Sequence, residues 1–310
     1  MYRSLLVPLD GSTFGEHALP LALSIARRAA STLNVVQVHE PLTPMYADSI
    51  APGTYEAEVK VLEQERAYLE GIVKRLASVS SVRVTSTLLE GPLIAETLNG
   101  HAGSTGADLI VMTTHGRGPL SRFWLGSVAD ETIRRATLPI LLVRPQETAP
   151  DFTVEQVLRH ILIPLDGSVL AEQVLEAAVA LGGLMQSHYT LVRIYGPLVD
   201  AGRDSLRYAT AGGSEPPTEQ LRAEAQDYLN PVAERLKVRG SSVQTHVALG
   251  QHAASDILDA AQRLGVDLMA LETHGRRGLA RLLMGSVADK VIRGASMPVL
   301  VHRSAGKGTR

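Results

Sequence analysis

The sequence predicts an α/β protein made of two tandem copies of one domain, each a parallel sheet with helices on both faces. The first observation is a long internal repeat. A shift of 159 residues lays Thr113–Arg144 on Glu272–Arg303 with 17 of 32 positions identical. A repeat this long is a duplicated domain rather than a solenoid unit, whose period is tens of residues. The second is the alternation of short apolar runs with helical patterns in the order βαβαβαβαβ. Near-continuous apolar strands in that order indicate a parallel sheet covered on both sides, with right-handed crossovers. The third is length, since 310 residues suit about two domains.

In chain order, Leu5–Leu9 is a short apolar run read as a buried strand. Asp10-Gly11-Ser12 turns the chain, and Ser12 or Thr13 can cap the next helix, with Glu16 in its first turns. Leu19, Leu23, Ile25 and Ala26 give that helix its apolar side. Leu33–His39 is a second strand, and Pro41–Gly53, with three prolines and a glycine, a loose loop. Tyr55–Ala77 reads as a long charged helix. Val82–Leu88 is a third strand, Leu93–Gly100 a short helix and Asp108–Thr113 a fourth strand. A glycine loop and a helix, Val128–Ala136, lead to a fifth strand, Pro139–Val143.

Pro145–Thr153 carries two prolines and few apolar positions and reads as a linker. This divides the chain into a domain over 1–145, a linker over 146–157, a domain over 158–304 and a disordered tail over 305–310. The second copy repeats the strands at Ile161–Leu165, Tyr189–Tyr195, Val243–Leu249, Asp267–Leu271 and Pro298–His302. Its loose loop, Gly196–Thr218, is longer and rich in Gly and Pro.

Hydrophobic content of 45% and charged content of 20% are ordinary for a globular protein. A formal charge of −2 gives no electrostatic reason to expect nucleic acid as partner. With no cysteine there is neither disulfide nor thiolate chemistry. Pro8 and Asp10 interrupt the N-terminal apolar run before a signal-peptide core forms. No apolar run approaches the roughly 18 residues of a membrane span. The chain is read as cytoplasmic, with no membrane partner.

The chemistry concentrates in Thr113–Ser127 and its repeat, Glu272–Ser286. A strand running into a glycine-containing loop and then a helix is a layout that holds phosphates. Unpaired N–H groups at the helix start and the helix dipole both favour an anion there. Gly116 and Gly126 let the backbone approach closely. Ser127 adds a hydroxyl, and Arg117 and Arg122 add positive charge. The second copy has Gly275, Gly285 and Ser286 at matching places.

These motifs resemble the universal stress protein family in a tandem two-domain form, over nearly the whole chain outside linker and tail. The resemblance is carried by Val7-Pro8-Leu9-Asp10-Gly11-Ser12, mirrored by Ile163–Ser168, and by the loop signatures. It is carried also by Gly126-Ser127-Val128-Ala129-Asp130 with Arg134 and Pro139, mirrored by Gly285–Asp289, Arg293 and Pro298. It implies a Rossmann-like, adenine nucleotide α-hydrolase-like domain with strand order 3-2-1-4-5. The ligand crevice then lies between the first and fourth strands, where the winding reverses. ATP-binding members look like Gly-x-x-Gly, nine residues, then Gly-Ser. Both copies keep the nine-residue spacing but replace the leading glycine, by Thr113 and by Glu272.

The resemblance implies adenine nucleotide, ATP with Mg²⁺, as ligand of a stress-response sensor or regulator. A carboxylate about 4 Å from a phosphate would repel it by roughly 4 kcal/mol at an effective dielectric of about 20. Nucleotide is therefore expected in the first copy rather than the second. Asp10 and Asp166 would contact adenine or ribose, or simply cap turns. Val38 and Ile194 would face the adenine, or pack in the core. Gly116, Gly126, Ser127 and their repeats Gly275, Gly285 and Ser286 would line phosphates. Arg117 would neutralise them, or remain a solvated arginine. His115 and His274 lack a paired nucleophile or carboxylate motif, so no catalytic role is expected beyond at most slow hydrolysis. The alternative is a member that binds no nucleotide and serves as an interaction scaffold. An α-hydrolase-like enzyme would need a Ser-Gly-Gly loop after the first strand, and Leu9–Ser12 lacks one. A phospho-receiver would need an acid and a lysine that Leu88-Leu89 and Val143-Arg144 do not supply. The apolar fifth strands are expected to pair as an internal pseudo-dimer, with room for a further homodimer and an unidentified protein partner.

Overall fold

The computed structural model describes residues 2–41, 54–115, 125–196, 218–273 and 284–303. The chain divides into two compact units, Met1–Val157 and Leu158–Arg310. In the first, β1 (Ser4–Leu9) leads through a 3₁₀ turn (Gly15–Ala18) into α1 (Leu19–Ala29). Then come β2 (Thr32–His39), α2 (Thr54–Val79), β3 (Val84–Glu90), α3 (Ile94–Thr105), β4 (Leu109–Thr113), α4 (Ser127–Arg135) and β5 (Ile140–Val143). The strand order is β3-β2-β1-β4-β5, and each neighbouring pair is parallel. This is the order that the resemblance implies.

The second unit repeats the plan. β6 (His160–Pro164) runs through a 3₁₀ turn (Ala171–Gln173) into α5 (Val174–Met185), β7 (His188–Tyr195), α6 (Thr218–Val238) and β8 (Val243–Leu249). It closes with α7 (Ala253–Leu264), β9 (Leu268–Glu272), α8 (Ser286–Gly294) and β10 (Val299–His302). Its order is β8-β7-β6-β9-β10, again parallel throughout.

Position in the sheet explains the composition of the strands. Every residue of β4 and β5 is buried, whereas β3, at the end of its order, is half-buried or exposed throughout. α1 is buried from Leu19 through Ala26, on more than one face, so it lacks the single apolar stripe of a surface helix. Its counterpart α5 approaches the sheet most closely at Gly182. A Cβ there would come within 2.1 Å of the Tyr189 hydroxyl and 2.9 Å of Ile161 Cδ1.

Three local expectations are modified. α3 runs past Gly100 and Gly103 and stops at Gly106, whose φ of 67° is the left-handed C-cap that favours glycine. The two interior glycines face open space, so they weaken the helix without breaking it. Ser12 caps the short 3₁₀ turn, its Oγ accepting from Gly15 N at 3.2 Å, and no side chain caps α1. The segment read as a linker packs on the first unit. Phe152 is 6% exposed and lies under the Arg75 guanidinium, 4.6 Å from the ring centroid. Gln156 N donates to Ser24 Oγ, and Arg28 pairs with Glu155.

Among the described residues no helix is long and apolar enough to cross a membrane. Residues 305–310, expected to be disordered, lie outside the described residues.

Candidate functional site

The winding reverses between β1 and β4 in the first unit and between β6 and β9 in the second. In open parallel sheets ligands enter at the carboxyl ends of strands beside such a reversal. Pairing between β1 and β4 joins Leu5 to Leu109 and Leu6 to Ile110. It does not extend to Asp10 and Thr113, which lie at the strand ends. The second unit repeats this with Ile161–Leu268 and Leu162–Met269.

After β1 the chain turns on Asp10. Its Oδ1 accepts from Ser12 N at 3.0 Å and Ser12 Oγ at 2.6 Å. Asp166 makes the same turn with Ser168, at 2.9 and 2.6 Å. The turn-capping reading is thus visible in both copies. The surroundings differ, for Asp10 is half-buried and Asp166 exposed. Gly15 follows closely enough that a Cβ would stand 2.6 Å from Asp10 Oδ1, while Ala171 occupies its place in the repeat.

Across the crevice, the end of β4 is tied to the start of α4. Thr114 N donates to Val143 O at 2.9 Å, and Gly126 N donates to Thr114 O at 2.8 Å. The repeat has Thr273 N to His302 O at 3.0 Å and Gly285 N to Thr273 O at 2.7 Å. Gly126 and Gly285 are the N-cap residues of α4 and α8, and neither helix has a side-chain cap. Ser127 and Ser286 are exposed first residues of those helices. A Cβ on Gly126 would lie 3.3 Å from Thr114 O and 3.4 Å from His115 Cα. Glycine therefore sets how tightly the helix mouth closes on the strand end.

His115 stands beside this mouth, 9% exposed. Its Nδ1 meets Thr114 Oγ1 at 3.0 Å, and its Nε2 is buried with no hydrogen-bond partner among the described residues. Burial, and secondarily the charge of Arg144, hold its pKa below the usual imidazole value. A neutral ring with one unsatisfied nitrogen is a costly group to keep in a native interior unless something meets it.

The strand-end substitutions have a structural meaning. Thr113 is 8% exposed and pairs in register with Val143. Glu272 pairs in register with His302, and its side chain is 1% exposed. His302 Nδ1 donates to Glu272 Oε2 at 2.6 Å, and Thr273 N donates to Oε1 at 3.2 Å. The carboxylate does not turn out to solvent; it is held inside by the histidine at the matching position of the next strand.

Val38 is half-buried at the end of β2. Ile194 is 7% exposed, and a Cβ on Gly250 would touch its Cγ2 at 2.7 Å, so it packs against the chain that leaves β8. Gly116, Arg117 and Gly275, with Arg122, Trp124, His274 and Arg276, lie outside the described residues.

One constellation escaped the sequence reading. Glu16, expected in a helical first turn, is 4% exposed. It accepts from the Tyr68 hydroxyl at 3.4 Å and pairs with Arg75 at 3.0 Å. Glu172, Tyr228 and Arg235 repeat the arrangement, the hydroxyl bond being 3.0 Å. Burial, then the carboxylates Glu16 and Asp10, push the Tyr68 phenol well up, so the network reaches the turn at the crevice. Recurrence of all three residue types in both copies was the available signal. Among the described residues no cluster of three acidic or histidine side chains is arranged to hold a metal ion.

Comparison with known proteins bears on these features. The model of the universal stress protein family matches residues 1–144 and again 158–303. A universal stress protein of Methanocaldococcus jannaschii is 31% identical over 144 residues, covering 46% of this chain and 83% of that protein. The crystal structure of a universal stress protein from Archaeoglobus fulgidus superposes with a TM-score of 0.65 at 17% identity, over 97% of this chain and 96% of that one. At that identity the likeness concerns the fold alone.

Proposed function

The chain belongs to the universal stress protein family, in a tandem form with two family domains, and from that premise we propose that its first unit binds an adenine nucleotide, ATP with Mg²⁺. The protein would act in the cytoplasm as a stress-responsive sensor or regulator. One observation supports this reading above the others. The uncapped start of α4 is tied back to the end of β4 through Gly126, beside a buried His115 whose Nε2 has no partner among the described residues.

These residues fit the ligand. N–H groups in the first turn of α4 and the exposed Ser127 hydroxyl are suited to phosphate oxygens. His115, held neutral, offers one nitrogen to a polar group entering the crevice. Asp10 and Ser12 hold the facing turn. Thr113 and Val143 leave the ends of β4 and β5 without ionisable groups. With no carboxylate cluster for a metal among the described residues, Mg²⁺ would be held chiefly by the nucleotide's phosphates, the usual habit of this ion. For the second unit the non-binding reading is favoured, because the buried Glu272–His302 pair places a carboxylate at the mouth.

Calorimetric titration of the full chain with ATP and Mg²⁺ tests the proposal. The expected result is one site per chain, lost in Gly116→Asp, which adds an anion to the loop. Undiminished binding by that variant would reject the seat. Nucleotide released by acid from protein purified from cells, identified by mass spectrometry, gives the ligand independently.

A further inference from the structure

The two copies differ on one helical face. In the first unit, the chain leaving β5 crosses the groove between α1 and α2. His17 Nε2 donates to Thr148 O at 2.7 Å, Phe152 stacks on Arg75 at 4.6 Å, and Gln156 and Glu155 bond Ser24 and Arg28. Phe152 thereby becomes 6% exposed.

The second unit keeps the groove. An open channel of about 970 Å³ lies between the start of α5 and the last turns of α6, lined by Gln173, Leu175, Arg235, Val238 and Arg239, with His302 at its end. Arg235 corresponds to Arg75 and is held by Glu172 as Arg75 is by Glu16. Gln173 corresponds to His17 and has an amide that can donate to a carbonyl in the same way. Val238 is 87% exposed. The counterparts of Ser24 and Arg28 are Ala180 and Leu184, so the groove has counterparts of the residues that meet an aromatic ring and a carbonyl in the first unit, and none of those that bond Gln156 and Glu155. Among the described residues nothing occupies it. Residues 304–310, which follow β10, include no aromatic side chain.

We propose that this groove is a docking site for an extended segment of another protein that carries an aromatic side chain. The aromatic ring stacks on Arg235 and covers Val238, and Gln173 takes a backbone carbonyl on its N-terminal side. Phe152 on Arg75 shows the geometry within the same chain. Arginine over an aromatic face is favourable and grows stronger as water is excluded, and a buried aromatic beside arginine is the usual anchor of such contacts. The site is separate from the nucleotide crevice and does not depend on it.

The probe is a fluorescently labelled synthetic peptide of residues 146–157, whose anisotropy is followed as the full-length protein is added. The chain's own segment already fills the first groove, so the peptide reads the second. Saturable binding is expected. It should weaken roughly tenfold or more, as an aromatic anchor requires, with Phe152→Ala in the peptide or Arg235→Ala in the protein. Because Arg235 also holds Glu172, Val238→Glu provides a surface variant that leaves the interior intact and should weaken binding similarly. Absence of saturable binding, or binding indifferent to Val238→Glu and to the peptide's Phe152→Ala, would overturn the proposal. So would binding that responds to Arg75→Ala rather than Arg235→Ala, since the peptide would then be exchanging into the first groove. Binding seen only after removal of residues 304–310 would also overturn it, by making the chain's own tail the occupant.

Discussion

The pair Glu272–His302 should behave as one coupled replacement of Thr113–Val143. His302→Val would strip a carboxylate with a 1% exposed side chain of its 2.6 Å donor. Depriving a buried polar group of its hydrogen-bond partner costs about 1–3 kcal/mol, more for a charged one. Here the Thr273 N–H still serves the other oxygen, so a loss of about 2–3 kcal/mol is expected. That is a large share of a typical domain stability of about 5–15 kcal/mol. Glu272→Thr alone leaves His302, 23% exposed, able to turn to water, and should cost about 1 kcal/mol. The double variant reproduces the threonine–valine register of the first unit and should lie within about 1 kcal/mol of the parent. The coupling energy is then about 2–4 kcal/mol. Urea unfolding of the four proteins measures it, following a signal from the second unit. Costs that add to within about 0.5 kcal/mol, the behaviour of independent sites, would refute the reasoning. Titration of the double variant with ATP and Mg²⁺ asks separately whether the carboxylate is what bars a nucleotide there.

Two further outcomes are expected. His39, with its side chain 4% exposed, is bonded by Glu65 at 2.8 Å and Glu58 at 2.9 Å. Burial opposes its protonation, but the two carboxylates prevail and raise its pKa. The folded state thus binds this proton more tightly than the unfolded chain. The stabilisation is fully present below the unfolded imidazole value of about 6.5 and fades as pH rises through the higher folded value. Unfolding midpoints measured across that range should fall with pH in the parent, and His39→Leu should remove that part of the slope. Gly182→Ala should destabilise the second unit by about 1–3 kcal/mol, because its methyl would overlap Tyr189 and Ile161. Thermal melting checks this, and an unchanged melt would mean that α5 can move off the sheet freely.

The sequence made the architecture plain because its signals are local and were written twice. Apolar runs of strand length, glycine at the loop mouths and a repeat at fixed offset need no knowledge of distant contacts. What stayed hidden depends on partners far along the chain. Glu16 reads as an acidic first-turn residue until α2 brings Tyr68 and Arg75 to it. Glu272 reads as an intruder until β10 supplies His302 in register. His115 carries no motif, and only burial reveals a nitrogen with no hydrogen-bond partner among the described residues. Phe152 sits in a proline-bearing stretch that resembles a tether, and its burial depends on a groove formed by two helices more than seventy residues upstream.

Comparison of one copy with the other separates scaffold from specialisation. The Asp–Ser turn, the strand-end tie to glycine and the Glu–Tyr–Arg network recur with matched bonds. They hold the strand ends and the flanking helices in place whatever binds there. The differences cluster where a ligand would meet each unit. His39 with its two glutamates becomes Tyr195 packed with Leu221 and Ala225. Thr113–Val143 becomes Glu272–His302, and a groove filled by Phe152 becomes an open one. A duplicated domain that merely decayed would lose packing at random. In the second unit the buried acid has a histidine beside it in register, and apolar packing stands where the first unit has its histidine–glutamate cluster. Such paired differences keep each unit packed while altering the chemistry offered at the strand ends.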